Sequence, residues 1–127
     1  MKLASYAIKG ISCGEVLTLL SGAVAVTRDF LHATLTGYSP LTLEIRFEYS
    51  GGSCGQARVK VSLKRSRMWG EVFSVCCEDH EESGSAVLSI RRVRGVGRVG
   101  ADVVGHRVIE MLRTRAPGLE VLESAFF

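Results

Sequence analysis

Two alternating runs constrain the fold of this chain more than any other feature. "LTLEIRFEY" (41–49) puts Leu41, Leu43, Ile45, Phe47 and Tyr49 on one side and Thr42, Glu44, Arg46 and Glu48 on the other. "ARVKVSLKR" (57–65) repeats the pattern, with Ala57, Val59, Val61 and Leu63 against Arg58, Lys60, Ser62 and Lys64. Successive side chains of a strand point to opposite faces, so a period of two marks a strand with one dry face and one wet face. The flexible "SGGSCGQ" between the runs makes them antiparallel neighbours. Glu44, Arg46 and Glu48 then face Arg58, Lys60 and Lys64 across the wet side.

The flanking segments extend this sheet. Residues 2–8 read as a short strand, and "DFLHATLTG" (29–37) as another ended by glycine. "WGEVFSVCC" (69–77) is more fully apolar and so suits a central strand; "AVLSIRRVR" (86–94) follows an acidic turn, "EDHEESGS". Residues 41–94 therefore form an antiparallel meander. Ser12 with Glu15 fits a capping box that starts a helix from Cys13 to Ser21. A second helix runs from Asp102 to Arg115, with Val103, Val104, Val108, Met111 and Leu112 as its apolar stripe. Arg113 and Arg115 complement its dipole, and Ala116-Pro117-Gly118 stops it. The apolar tail "LEVLESAFF" either docks or contributes to an interface. The expected architecture is one α+β domain over residues 1–127. It has an antiparallel sheet of about five strands, with an N-terminal and a C-terminal helix packed on one face.

A chain of 127 residues fits one domain. No apolar run approaches the roughly 20 residues needed to span a bilayer. The start, "MKLASYAIKG", lacks the continuous apolar stretch of a secretory signal. The expected compartment is intracellular and cytoplasmic, and Cys13, Cys54, Cys76 and Cys77 are accordingly expected as free thiols.

Residues 95–100, "GVGRVG", match G-x-G-x-x-G. A dinucleotide loop of that kind needs a parallel strand–helix–strand unit and an acidic residue about 20 positions on. Glu120 and Glu123 lie at that distance, but antiparallel strands precede the loop and little chain follows the helix. No cofactor is therefore expected, and the glycines read as a turn into the last helix. Arg91, Arg92, Arg94 and Arg98 surround that turn, which makes it a candidate general anion site.

Other candidate chemistry is sparse. His32, His80 and His106 are scattered, and Cys77 with His80 lacks a third orienting group. The carboxylates at 78–82 do not follow the ligand spacing of a calcium loop. No catalytic or metal-binding set is expected. Trp69 follows Lys64, Arg65 and Arg67; it reads as the first core residue of its strand, or as a stacking platform beside those cations. The net charge is only +3, yet residues 58–115 carry twelve Lys or Arg and seven Asp or Glu, four of the acids lying in the turn at 78–82. A basic patch can therefore form despite the small total.

The last third has a further character. "GEVFSVCCED", an acidic turn, "SAVLSIRRVRG" and "GADVVGHRVIEML" resemble the end of kinase-associated type-1 domains, small modules at the C-termini of several protein kinases. Arg91, Arg92, Gly95 and the run 103–112 occupy that family's closing pattern. The upstream strand, helix and strand fall in its order too, although the helix is short and residues 39–54 resemble an added arm. The resemblance implies anionic-phospholipid binding through a basic surface, or docking against another protein domain, with Arg91, Arg92, Arg94 and Arg98 as the inherited candidates.

The sequence thus leads to a non-enzymatic interaction module. It binds a protein partner or an anionic phospholipid surface through Arg91, Arg92, Arg94, Arg98, Lys64, Arg65 and Arg67. The apolar tail favours a protein partner or self-association into a homo-oligomer. A nucleic-acid-binding domain using the Arg58–Arg67 and Arg91–Arg98 clusters is the second reading, and a small-ligand carrier or enzyme with a pocket between sheet and helix the third.

Overall fold

A computed structural model of the protein describes residues 3–34, 37–63, 68–80, 82, 84–95 and 99–126. The elements in order are β1 (Leu3–Lys9), α1 (Cys13–Leu20), β2 (Val24–Thr34), β3 (Gly37–Glu48), β4 (Cys54–Leu63), β5 (Met68–His80), β6 (Ser85–Arg94), α2 (Ala101–Arg115) and β7 (Glu120–Phe126). All strands belong to one antiparallel sheet in the order β2-β3-β4-β5-β6-β1-β7. β5 is central, as its apolar sequence predicts.

The expected class is corrected here. The molecule is mostly sheet: seven strands curl into a half-barrel accompanied by two helices, in place of about five strands with both helices layered on one face. Two segments account for much of the difference. β2 begins at Val24, earlier than the alternation suggests, because Val24 and Val26 are exposed and blur the pattern. The tail forms β7 by pairing with the outer edge of β1, from Ala4 opposite Phe126 to Lys9 opposite Glu120. An unpaired strand edge offers a row of backbone donors and acceptors, and the tail satisfies the row that β1 leaves open.

The alternating runs behave as expected where they are described. Leu43, Ile45 and Phe47 of β3 and Ala57, Val59 and Val61 of β4 are buried, and so are Phe73, Val75 and Cys77 of β5. Ala86, Leu88 and Ile90 of β6 continue this inner face to Ala4, Tyr6 and Ile8 of β1. Val16, Leu17 and Leu20 of α1 and Val104, Val108, Ile109 and Leu112 of α2 belong to the same core cluster. The two helices contact each other; α1 also touches β5, and α2 touches β1 and β6.

Local signals set the helix ends. The Ser12 hydroxyl accepts a hydrogen bond from the Glu15 amide at 3.3 Å and donates to the Glu15 carboxylate at 3.0 Å. In the middle of α2, Gly105 costs about 1 kcal/mol of helix propensity relative to alanine. It is needed because a Cβ there would collide with the Tyr6 ring and hydroxyl on β1. The glycine lets α2 lie close to the sheet.

The four cysteines are the second correction. They form two disulfides, Cys13–Cys77 and Cys54–Cys76, in place of the expected free thiols. Adjacent strand residues point to opposite faces, so Cys76 and Cys77 cannot share a partner side. Cys77 points inward and fastens the start of α1 to β5. Cys76 points outward and joins Cys54 directly across the β4–β5 ladder. Closing loops of 64 and 22 residues removes unfolded-state entropy worth about 4 and about 3 kcal/mol respectively.

Candidate anion-binding face

The same alternation divides the arginines of β6. Ile90 is buried and Arg91 is exposed; Arg92 follows on the inner side, opposite Phe73. A bulge at Val93 then shifts the register, so that Arg94 pairs with Val72 while Arg91 pairs with Ser74. Val72 and Ser74 both alternate with buried neighbours and so face outward. The bulge thereby returns Arg94 to the outer face that Arg91 occupies. Re-aiming a side chain is a usual consequence of one extra residue in a strand.

Registers of the neighbouring strands carry this face across the sheet. Val24 lies opposite Arg46, Arg46 opposite Arg58, Arg58 opposite Val72 and Val72 opposite Arg94. Neighbouring strands are about 4.8 Å apart, so this row sets three arginines within roughly 15 Å. Lys60 stands beside the row opposite Glu44, and Arg91 ends the next row after Gln56 and Ser74. Arg46 pairs with Glu44 at 2.7 Å, and Arg58 with Glu48 at 3.2 Å. Both pairs are largely solvent-exposed and worth little. Arg91, Arg94 and Lys60 face these two carboxylates in excess. A shallow depression of about 520 Å³, lined by Glu48, Tyr49, Cys54, Gln56, Ser74 and Val93 among others, opens on the same face.

Arg92 has a different role. Its Nε donates to the buried Glu71 carboxylate at 2.9 Å, and its guanidinium stands 5.4 Å from the centre of the Phe73 ring. The other Glu71 oxygen accepts the Val99 amide at 2.8 Å, and Arg92 also donates to the Val99 carbonyl. Glu71 therefore clamps both ends of the glycine segment, satisfying the polar groups that its burial would otherwise leave costly. Gly95 follows from this clamp. Its φ of +130° suits glycine, and a Cβ there would lie 2.5 Å from the Glu71 side chain. Antiparallel neighbours on both sides of β6 remove the parallel unit that a dinucleotide loop requires.

Of the residues expected from sequence, Arg91 and Arg94 lie together on the outer face, and Arg92 is committed inward to Glu71. Lys64, Arg65, Arg67 and Arg98 lie outside the described residues, as does the Trp69 side chain. Arg58 and Lys60, from the cluster expected for nucleic acid, join this face, and so does Arg46, which was not expected there although its parity in the alternating run marks it as outward. Glu71 was missed altogether. Its signal is a carboxylate at core parity, in step with Phe73, Val75 and Cys77.

Burial, with the charge of Asp102 as a secondary cause, raises the Tyr6 hydroxyl above its ordinary pKa. Among the described residues, no three His, Cys, Asp or Glu side chains converge as metal ligands do. Among the described residues, no helix is long and apolar enough to cross a membrane. In comparison with known proteins, no family model, no curated protein and no solved structure matches this chain.

Proposed function

We propose that this chain is a non-enzymatic interaction module whose outer sheet face binds an anionic phospholipid surface. The observation that carries this reading is the cross-strand row Arg46–Arg58–Val72–Arg94, flanked by Lys60 and Arg91. Guanidinium groups suit phosphate because their planar donors match its oxygens. The exposed Val24 and Val93 lie beside these cations and offer small apolar contacts at a headgroup boundary. The resemblance to kinase-associated type-1 domains agrees in ligand class, while the cationic set shifts from the glycine turn to the sheet face. The two disulfides favour an oxidising compartment over the cytoplasmic setting expected from sequence.

Co-sedimentation with phosphatidylserine vesicles and with neutral phosphatidylcholine vesicles tests the proposal, with duplex DNA titrated in parallel. Binding to the anionic vesicles alone is expected, weakening as salt screens the exposed charges. The triple variant Arg46→Ala, Arg58→Ala, Arg94→Ala should lose most of it. Equal binding to both vesicles, or none, overturns the lipid reading. Tight and steeply salt-dependent DNA binding in that case favours the nucleic-acid alternative.

A further inference from the structure

The two disulfides differ in access although they use adjacent residues of β5. Cys13, the first residue of α1, and Cys77 are 7% and 4% exposed and belong to the core. Cys54 is exposed at the start of β4 and lines the outer depression, and Cys76 is half-buried. The Ser74 hydroxyl lies 3.2 Å from the Cys76 sulfur. A depression of about 520 Å³ is of the size that small molecules occupy.

We propose that Cys54–Cys76 is a thiol–disulfide exchange site for a small thiol entering through this depression. The incoming thiolate attacks the exposed Cys54 sulfur. A new S–S bond forms between the thiol and Cys54, the Cys54–Cys76 bond breaks, and its electron pair leaves on Cys76 as a thiolate. The exchange is isoelectronic and needs no other oxidant or reductant; a second thiolate can then release Cys54 and carry away a small disulfide. The polarity of the step follows from position. Cys54 is the more exposed residue, and the Ser74 hydroxyl, at 3.2 Å from Cys76 against 4.0 Å for Ser53 from Cys54, can donate to the thiolate that leaves, which favours Cys76 as leaving group. The fold tolerates opening because the β4–β5 ladder continues from Gly55 to Ser62 and Cys13–Cys77 stays closed. This inference is independent of the lipid reading, since it concerns the sulfur chemistry and not the arginine row.

The oxidised 127-residue chain is incubated in native buffer with glutathione, quenched with an alkylating reagent, and mapped by peptide mass spectrometry. The expected result is a glutathione adduct on Cys54 and an alkylated Cys76, while Cys13–Cys77 remains intact. Ser74→Ala should slow adduct formation by about fivefold, the effect of losing one hydrogen bond, with an unchanged circular dichroism spectrum. Three outcomes overturn the proposal: opening of Cys13–Cys77 at the same rate, an adduct found mainly on Cys76, or no exchange until denaturant is added. If Ser74→Ala fails to fold, the adduct map of the unmodified chain still decides.

Discussion

The two faces of the central sheet use the same residue types to opposite ends. On the inner face, Arg92 is held by Glu71 and ties the glycine segment to the core; on the outer face, Arg91 stands exposed one residue away. Cys77 pairs inside with Cys13, and Cys76 pairs outside with Cys54. A one-residue step thus separates a structural partner from an accessible one. Residue type does not predict the role of a side chain here; strand parity does, as far as the bulge at Val93.

The largest expected effect comes from breaking the inner set. Glu71→Ala leaves Arg92 part-buried without its carboxylate and the Val99 amide without its acceptor. Unfolding in urea with disulfides intact should show a loss of about 3–5 kcal/mol. Removing the inner disulfide through Cys13→Ser with Cys77→Ser should cost about 4 kcal/mol, and the outer one, through Cys54→Ser with Cys76→Ser, about 3 kcal/mol. A larger loss at the outer bond would contradict the ordering by loop length.

Gly95→Ala should cost about 2 kcal/mol, from strain at positive φ and from contact with Glu71. If this variant is as stable as the parent, the clamp around Glu71 is wrong. Tyr6 gives a pH-dependent version of the test. Its raised folded-state pKa means that the native state holds the proton more tightly than the unfolded chain. That stabilisation is complete below the ordinary value of 10.0 and is lost as pH rises through the higher folded value. Alkaline unfolding curves should therefore decline more steeply for the parent than for Tyr6→Phe. The smallest effect belongs to the outer face: Arg91→Ala should change stability by no more than about 0.5 kcal/mol. Arg92→Ala, one residue on, should be clearly destabilising.

Much of the candidate face was legible as alternation. Arg58 and Lys60 fall on the wet side of "ARVKVSLKR", and the register then brings Arg58 beside Arg46 and Val72. Parity separates Cys76, which faces outward, from Cys77, which shares the parity of Phe73 and Val75; the pairing itself depends on the register that sets Cys54 opposite Cys76. The bulge at Val93 was not legible. It shows only in the β5–β6 register, where Arg92 pairs with Phe73 and Arg94 with Val72.

By itself, the sequence determined the local periods: which strands have a dry side, where α1 begins at Ser12, and that α2 stops before Pro117. These depend on backbone geometry and on neighbours within a few residues. Only the tertiary structure decided the partners: the tail against β1, Glu71 with Arg92, and each of two adjacent cysteines with a different strand or helix. The physical reason is that pairing depends on register and burial across the whole sheet, and a carboxylate or thiol carries no local mark of the group that will satisfy it.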